Sequence, residues 1–257
     1  MNIDFYKYHG TGNDFIIIDN RNKNFSVTTK QIANLCHRRF GIGADGLILL
    51  ELENGYDFKM VYYNSDGHPS SMCGNGGRCI TQFAHDIGIQ KKEYHFNAID
   101  GEHISWIDDH GIVWLKMKNL HIVENHNNYT LLNTGSPHFI KTVTDLDIYP
   151  VYKEGHEIRN SEKFEKEGIN VNFVEVLDHD KIFVRTYERG VEDETYSCGT
   201  GVTAAALVHA HNERGFNHID IKTLGGELFV EFDKLSDDHF ENIWLCGSVV
   251  KVFEGKM

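Results

Sequence analysis

Met72-Cys73-Gly74-Asn75-Gly76-Gly77-Arg78 sets a cysteine directly before a glycine-rich turn. The residues that follow carry apolar side chains at 79, 80, 83, 84 and 87, the spacing of one helical face. Cys73 is therefore predicted just before a helix or on its first residue. A helix start offers unpaired backbone N–H groups and about half a positive charge, which lowers a thiol's pKa toward the reactive thiolate. The pattern recurs. Ser197-Cys198-Gly199-Thr200-Gly201 leads into the strong helix formers Val202–Val208. Two C-G-x-G turns, 125 positions apart in 257 residues, predict two similar halves, each with a thiol at a helix start. For either cysteine alone, a small buried residue at a tight turn is the competing explanation.

Outward from these turns the chain reads mostly as strands. Ile3–Tyr8 and Phe15–Asp19 flank a polar loop, His9–Asp14. Thr28 or Thr29 can cap a helix reaching about Arg39. Gly41-Ile42-Gly43-Ala44-Asp45-Gly46 matches G-x-G-x-x-G, but a helix precedes it and a strand follows, the reverse of a dinucleotide fold. It reads as a turn with structural glycines. Strands follow at Leu47–Leu52 and Phe58–Tyr63, and across 94–124 with turns at Asp100-Gly101 and Asp109-His110-Gly111. Thr134–His138 reads as a kinked loop, and 153–168 as a short exposed helix with loops. Gly168–Val176 alternates as a strand, with Ile182–Tyr187 as its hairpin partner. More strands follow the second helix, the last near Ser248–Phe253. One central helix per half among many strands argues an α+β fold. The expected halves are 1–119, completed by a last strand near 246–257, and 120–245.

The net charge of −13 disfavours nucleic acid or an anionic membrane surface as the main partner. The N-terminus lacks the pattern of a signal peptide, and no apolar run reaches the length of a membrane span. Five cysteines, an odd number, fit reduced thiols in the cytoplasm. Cys36, Cys79 and Cys246 lie in apolar surroundings and read as core. Cys73 and Cys79 are badly spaced for zinc, and neither a metal site nor a cofactor signature is expected.

Two thiols at helix starts suit inversion of a carbon stereocentre. One thiolate takes the proton from one face and the other thiol supplies one from behind. The helix starts at Gly74, Asn75, Gly199 and Thr200 can bind the adjoining carboxylate and stabilise charge that develops on it. His138 follows Pro137 in a constrained loop and could orient a thiol or exchange its proton; a structural role competes with that. Glu188-Arg189 is either a surface ion pair or a clamp for an ammonium and a carboxylate.

His9–Phe15, Cys73–Cys79, Gly135–His138, Asn170–Phe173, Glu188–Gly190 and Ser197–Gly201, in that order over most of the chain, resemble the diaminopimelate epimerase family. The resemblance implies two pseudo-symmetric domains, each a β-barrel-like mixed sheet wrapped around a central helix. It implies a cofactor-independent isomerase of the cytoplasm that interconverts LL- and meso-2,6-diaminopimelate on the way to lysine and peptidoglycan precursors, and a homodimer. Carried over by motif, Cys73 and Cys198 are the proton acceptor and donor, and His138 and Glu188 assist them. Asn13, Asn64, Asn170, Glu188 and Arg189 read the polar groups of the substrate, and Gly74-Asn75 and Gly199-Thr200 hold the carboxylate at the reacting carbon. The chain departs from the family pattern at Gly46, where glutamine is usual, and at Ser136, where asparagine is. It also carries one extra residue in Glu188–Thr195. Two rival readings are a proline or hydroxyproline racemase and a thiol redox or binding protein.

Overall fold

The computed structural model describes residues 3–70 and 72–257. In chain order the first elements are β1 (Asp4–Gly10), β2 (Asn13–Asp19), α1 (Thr29–Cys36), β3 (Gly46–Glu51), β4 (Phe58–Asn64), α2 (Gly74–Asp86), β5 (Tyr94–Ala98), β6 (Gly101–Ile107) and β7 (Val113–Lys116). Then come β8 (Val123–Asn125), β9 (Thr130–Asn133), β10 (Pro137–Thr142), a 3-10 turn at Leu146–Ile148, α3 (Val151–Arg159), β11 (Asn170–Asp178) and β12 (Lys181–Glu188). The chain ends with β13 (Asp193–Thr195), α4 (Gly199–Val208), β14 (Gly215–Thr223), β15 (Gly226–Lys234), β16 (Phe240–Gly247) and β17 (Val250–Lys256). Two compact units result. One runs through Leu115 and is joined by Gly247–Met257, and the other is Lys116–Cys246.

In the first unit the sheet runs β17-β1-β2-β3-β4-β5-β6-β7. Only β2–β3 and β4–β5 are parallel, and the other neighbours are antiparallel. In the second it runs β8-β9-β10-β11-β12-β14-β15-β16, with only β10–β11 and β12–β14 parallel. The two pairing sequences are identical, so each unit repeats one plan. Parallel neighbours need a crossover long enough to hold a helix. Those crossovers carry α1 and α2 in the first unit, and α3 and α4 in the second.

α2 packs against β1, β2, β3 and β6, and α4 against β9 through β12, β14 and β15. Each mixed sheet thus curls round one central helix. Cys79, Ile80, Phe83 and Ala84 on α2 are fully buried, the face that the 3.6-residue period marks. α4 is apolar all round, with Val202 and Ala204–Leu207 buried, as expected of a helix enclosed by its sheet. Burial pushes the Cys36 thiol up to about 11 and Cys79 higher still, which makes both inert.

Three local expectations change. α1 stops at Cys36, short of Arg39. His37 turns to extended backbone, and the chain folds back so that Ile42 and Gly43 donate to the Leu35 carbonyl at 2.9 and 3.0 Å. A Cβ at Gly41 would lie 2.0 Å from the Asn34 oxygen, so that return requires glycine. The helix read in 153–168 begins earlier, at Val151, and is docked rather than exposed. Val151 and Gly155 are buried, and a Cβ at Gly155 would lie 2.4 Å from Tyr187. His9–Asp14 is not a loop but a tight hairpin. β1 and β2 pair up to Gly10 and Asn13, with Thr11 and Gly12 both at positive φ, the two-residue turn whose twist matches its strands.

Thr28 caps α1 with a reciprocal box: Gln31 N–H donates to the Thr28 hydroxyl, and Thr28 N–H donates to Gln31 Oε1 at 2.9 Å. Thr28→Ala is expected to cost about 1 kcal/mol and lower Tm by roughly 2–4 °C. An unchanged Tm in thermal unfolding would remove the cap from the account of stability.

Candidate active site

In the first unit the backbone reaches Cys73 in extended conformation, and α2 begins at the next residue, so Cys73 is its N-cap. The half-buried Cys73 Sγ donates to Asn13 Oδ1 at 3.4 Å. The tight turn at Thr11-Gly12 sets Asn13 as the first residue of β2, beside the helix start. Asn75, fully buried on the first turn of α2, donates to the same Asn13 oxygen at 3.3 Å. Asn13 in turn donates to Asp45 Oδ2 at 2.8 Å. Cys73, Gly74, Asn75 and Asn13 thus form one group. Asn64 stands outside it, exposed at the end of β4 in register with Gly46. Gly46 has no room for a side chain: a Cβ there would lie 2.5 Å from the Tyr62 ring and from the Tyr63 carbonyl. Behind Asn13 lies an ion cluster. Burial raises the Asp14 carboxyl, but Arg38 and Lys7, paired with it at 2.7 Å each, outweigh that and hold it well below the usual carboxylate range.

In the second unit Cys198 is the N-cap of α4 in the same way, with extended backbone before Gly199. Its buried Sγ lies 3.5 Å from the Thr200 hydroxyl. Thr134, in the turn joining β9 to β10, donates to the Thr200 carbonyl at 2.8 Å. A hairpin turn therefore abuts the helix start in both units, as the repeated plan requires.

His138 is fully buried on β10. Asn172 Oδ1 accepts from the Thr186 hydroxyl at 2.9 Å, so its amide nitrogen faces the Phe139 carbonyl at 3.2 Å and His138 Nδ1 at 3.1 Å. Nδ1 must then accept, which places the ring proton on Nε2. That Nε2 makes no hydrogen bond among the described residues. Burial, aided by the Arg189 charge, pushes the imidazole down to about 3, so it is neutral at physiological pH. A histidine that is neutral when folded but titrates near 6.5 when unfolded binds fewer protons in the native state. It therefore costs stability progressively as pH falls from about 6.5 toward 3. Replacement by glutamine is expected to flatten the Tm–pH slope between pH 7 and 5 by up to one proton; an unaltered slope would contradict the buried neutral ring.

Asn170 begins β11. It accepts from the Arg189 backbone N–H at 2.9 Å and donates to the Pro137 carbonyl at 3.3 Å, which ties the Pro137-His138 segment to the Arg189 loop. Glu188 ends β12 and accepts from the Thr195 hydroxyl at 3.0 Å. The loop with the extra residue folds into a hairpin: Glu188 faces Asp193 across it, Glu192 N–H donates to the Glu188 carbonyl at 2.8 Å, and Gly190 and Glu192 adopt positive φ. Arg189 lays its stem over Gly168, where a Cβ would lie 2.6 Å from Arg189 Cδ, and donates to the Glu167 carbonyl at 2.9 Å. His138 and Arg189 both line a cavity of about 760 Å³ in this unit, with Leu131, Pro137, Glu167 and Ile169. This space is large enough for a small polar molecule.

The sequence reading did not assign Thr11, Asp45, Arg78, Thr134, Asn172 or Thr195 to the site. Arg78 falls on the polar side of α2 with Asn75 and Gln82, opposite the apolar positions 79, 80, 83 and 84, so the helical period does not single it out.

A family model described as diaminopimelate epimerase matches residues 5–119 and 130–252. The diaminopimelate epimerase of Flavobacterium psychrophilum is 51% identical over 97% of this chain and 98% of its own length. Among solved structures, a PhzF-family phenazine biosynthesis protein of Bacillus anthracis superposes with a TM-score of 0.76, covering 100% of this chain and 99% of its own at 14% identity. A hydroxyproline epimerase of Agrobacterium vitis superposes with a TM-score of 0.69, covering 100% and 92%, also at 14% identity. At such identities these two share the fold alone. The match of the family model over most of the chain, together with half-identity to a full-length relative, places this chain in the diaminopimelate epimerase family.

Proposed function

We propose that this chain interconverts LL- and meso-2,6-diaminopimelate by a two-thiol proton transfer. As a family member it is an isomerase that acts on an amino acid. The observation that carries the mechanism is that each unit sets a cysteine as N-cap of its central helix. A thiolate is favoured there, and an anion near the helix start is stabilised by the same field. In this reading Cys73 takes the α-proton and Cys198 returns one to the other face, with roles exchanged in the reverse direction. The first N–H groups of α2, at Gly74 and Asn75, and of α4, at Gly199 and Thr200, hold the reacting carboxylate. Neutral His138 offers its Nε2 proton as a donor at the second thiol's side of the reaction, and Glu188 assists as base. Asn13, Asn64, Asn170, Glu188 and Arg189 read the remaining ammonium and carboxylate groups. Arg189 and His138 line one cavity of the second unit, which neither cysteine borders. The reading includes a cytoplasmic homodimer, as the family resemblance implies.

The test is to supply LL-diaminopimelate to the purified chain without added cofactor. The meso isomer should accumulate, and the same mixture should form from meso, with proline and hydroxyproline left unchanged. Failure to form meso, or robust racemisation of proline, would overturn the assignment.

A further inference from the structure

Arg78 lies on α2, is fully buried, and has no part in the mechanism above. Its Nη2 donates to Asn75 Oδ1 at 2.6 Å and to the Thr11 hydroxyl at 3.4 Å, and its Nη1 donates to the Ser248 carbonyl at 3.2 Å. A guanidinium can only donate, so the Asn75 oxygen must face it. The Asn75 nitrogen is thereby turned to Asn13 Oδ1 at 3.3 Å. At the other end Asp45, a carboxylate, can only accept, so it takes the Asn13 nitrogen at 2.8 Å. Two amides that could each turn over are thus locked head to tail between a fixed donor and a fixed acceptor. The group presented to Cys73 is consequently the Asn13 oxygen, which accepts from Sγ at 3.4 Å.

We propose that Arg78 is a positioning residue for Cys73: through Asn75 it holds Asn13 with its oxygen toward the thiol, and it supplies the buried positive charge that the thiolate faces when the proton leaves. This rests on the two-thiol reading. The other charged groups around the chain are Asp14 on β2 and Asp45 before β3, with Arg38 bound to both and Lys7 on β1 bound to Asp14. They form a paired cluster on the Asn13 side, whereas Arg78 approaches from α2. The competing explanation is that Arg78 merely staples α2 to the first hairpin and to the turn before β17.

The two are separated by the pH profile of iodoacetamide labelling at Cys73, read by mass spectrometry of its peptide, in Arg78→Gln, Arg78→Lys and Asp45→Asn. Loss of the positive charge should move the Arg78→Gln midpoint up by about half a pH unit or more. Its kcat should fall about tenfold with KM within roughly twofold. Arg78→Lys keeps a donor-only cation and should fall between this variant and the native protein. Asp45→Asn removes a negative charge from the Asn13 side while Arg78 still holds Asn13 through Asn75, so its midpoint should move down. A folded Arg78→Gln protein with an unchanged midpoint would overturn the proposal. So would midpoints that move the same way in the Arg78 and Asp45 variants, or losses in all three that track Tm alone. Should Arg78→Gln fail to fold, Arg78→Lys and Asp45→Asn decide by the same criteria. Labelling needs no substrate, so failure here leaves the two-thiol reading intact. That reading fails separately, if Cys73→Ala retains turnover.

Discussion

Alanine at Cys73 or at Cys198 is expected to lower epimerisation of diaminopimelate at least about a thousandfold, in both directions, with the fold retained. A positioned acid or base contributes roughly 10²–10⁴ to rate, and inversion requires one on each face. Because the two thiols act as a unit, the double variant should be about as inactive as either single one. The change itself is mild: neither side chain caps its helix, and alanine removes one sulfur. Circular dichroism should therefore be unaltered and Tm should shift by a few degrees at most. Meso formation followed by chiral chromatography checks the result. Either single variant turning over within tenfold of the native rate would leave no room for a two-thiol mechanism.

Gly201→Ala should disrupt the second unit with a single methyl. Helix propensity alone predicts a gain of about 1 kcal/mol for this change inside a helix. Packing predicts the opposite, because the new Cβ would lie 2.3 Å from Asn172 Oδ1 and 3.3 Å from Cys198 Cβ. Asn172 cannot retreat without breaking its bonds to Thr186, Phe139 and His138. Overpacking and a disturbed buried amide together cost about 3 kcal/mol, or roughly 6–12 °C in Tm for a chain of this size. Activity should fall as well, since both Cys198 and the His138 ring are displaced. A variant as stable as the native protein would show that α4 and β11 shift apart easily, contrary to the close packing described.

The two Cys-Gly turns were legible because their chemistry is local: a small residue, a glycine that admits close approach, and a helix-forming run within about ten positions. From them came the repeated plan and both candidate nucleophiles. His138, Asn170 and Arg189 were named together as candidate site residues, and their joining through the Asn170 amide and the Gly168 platform depends on strands far apart in sequence. Asn172 and Thr134 act through partners on other elements, and Arg78 acts through Asn75 on its own helix while reaching Thr11 and Ser248; no periodicity reports such partners. The α3 segment misled for a different reason. Its charged residues read as exposure, but the missing side chain at Gly155 is what lets α3 settle on Tyr187. The hairpin at Thr11-Gly12 was read as a loop because Thr11 adopts positive φ, which threonine rarely does.

The central claim is tested most directly by running the reaction in deuterium oxide and locating the label. Starting from LL-diaminopimelate, the native protein should yield meso product with one solvent deuterium at the inverted α-carbon, and little label in recovered substrate at early times. Cys73→Ala and Cys198→Ala should each yield no labelled meso product. Inversion without solvent deuterium at that carbon, or labelled meso product persisting when either cysteine is gone, would contradict the account.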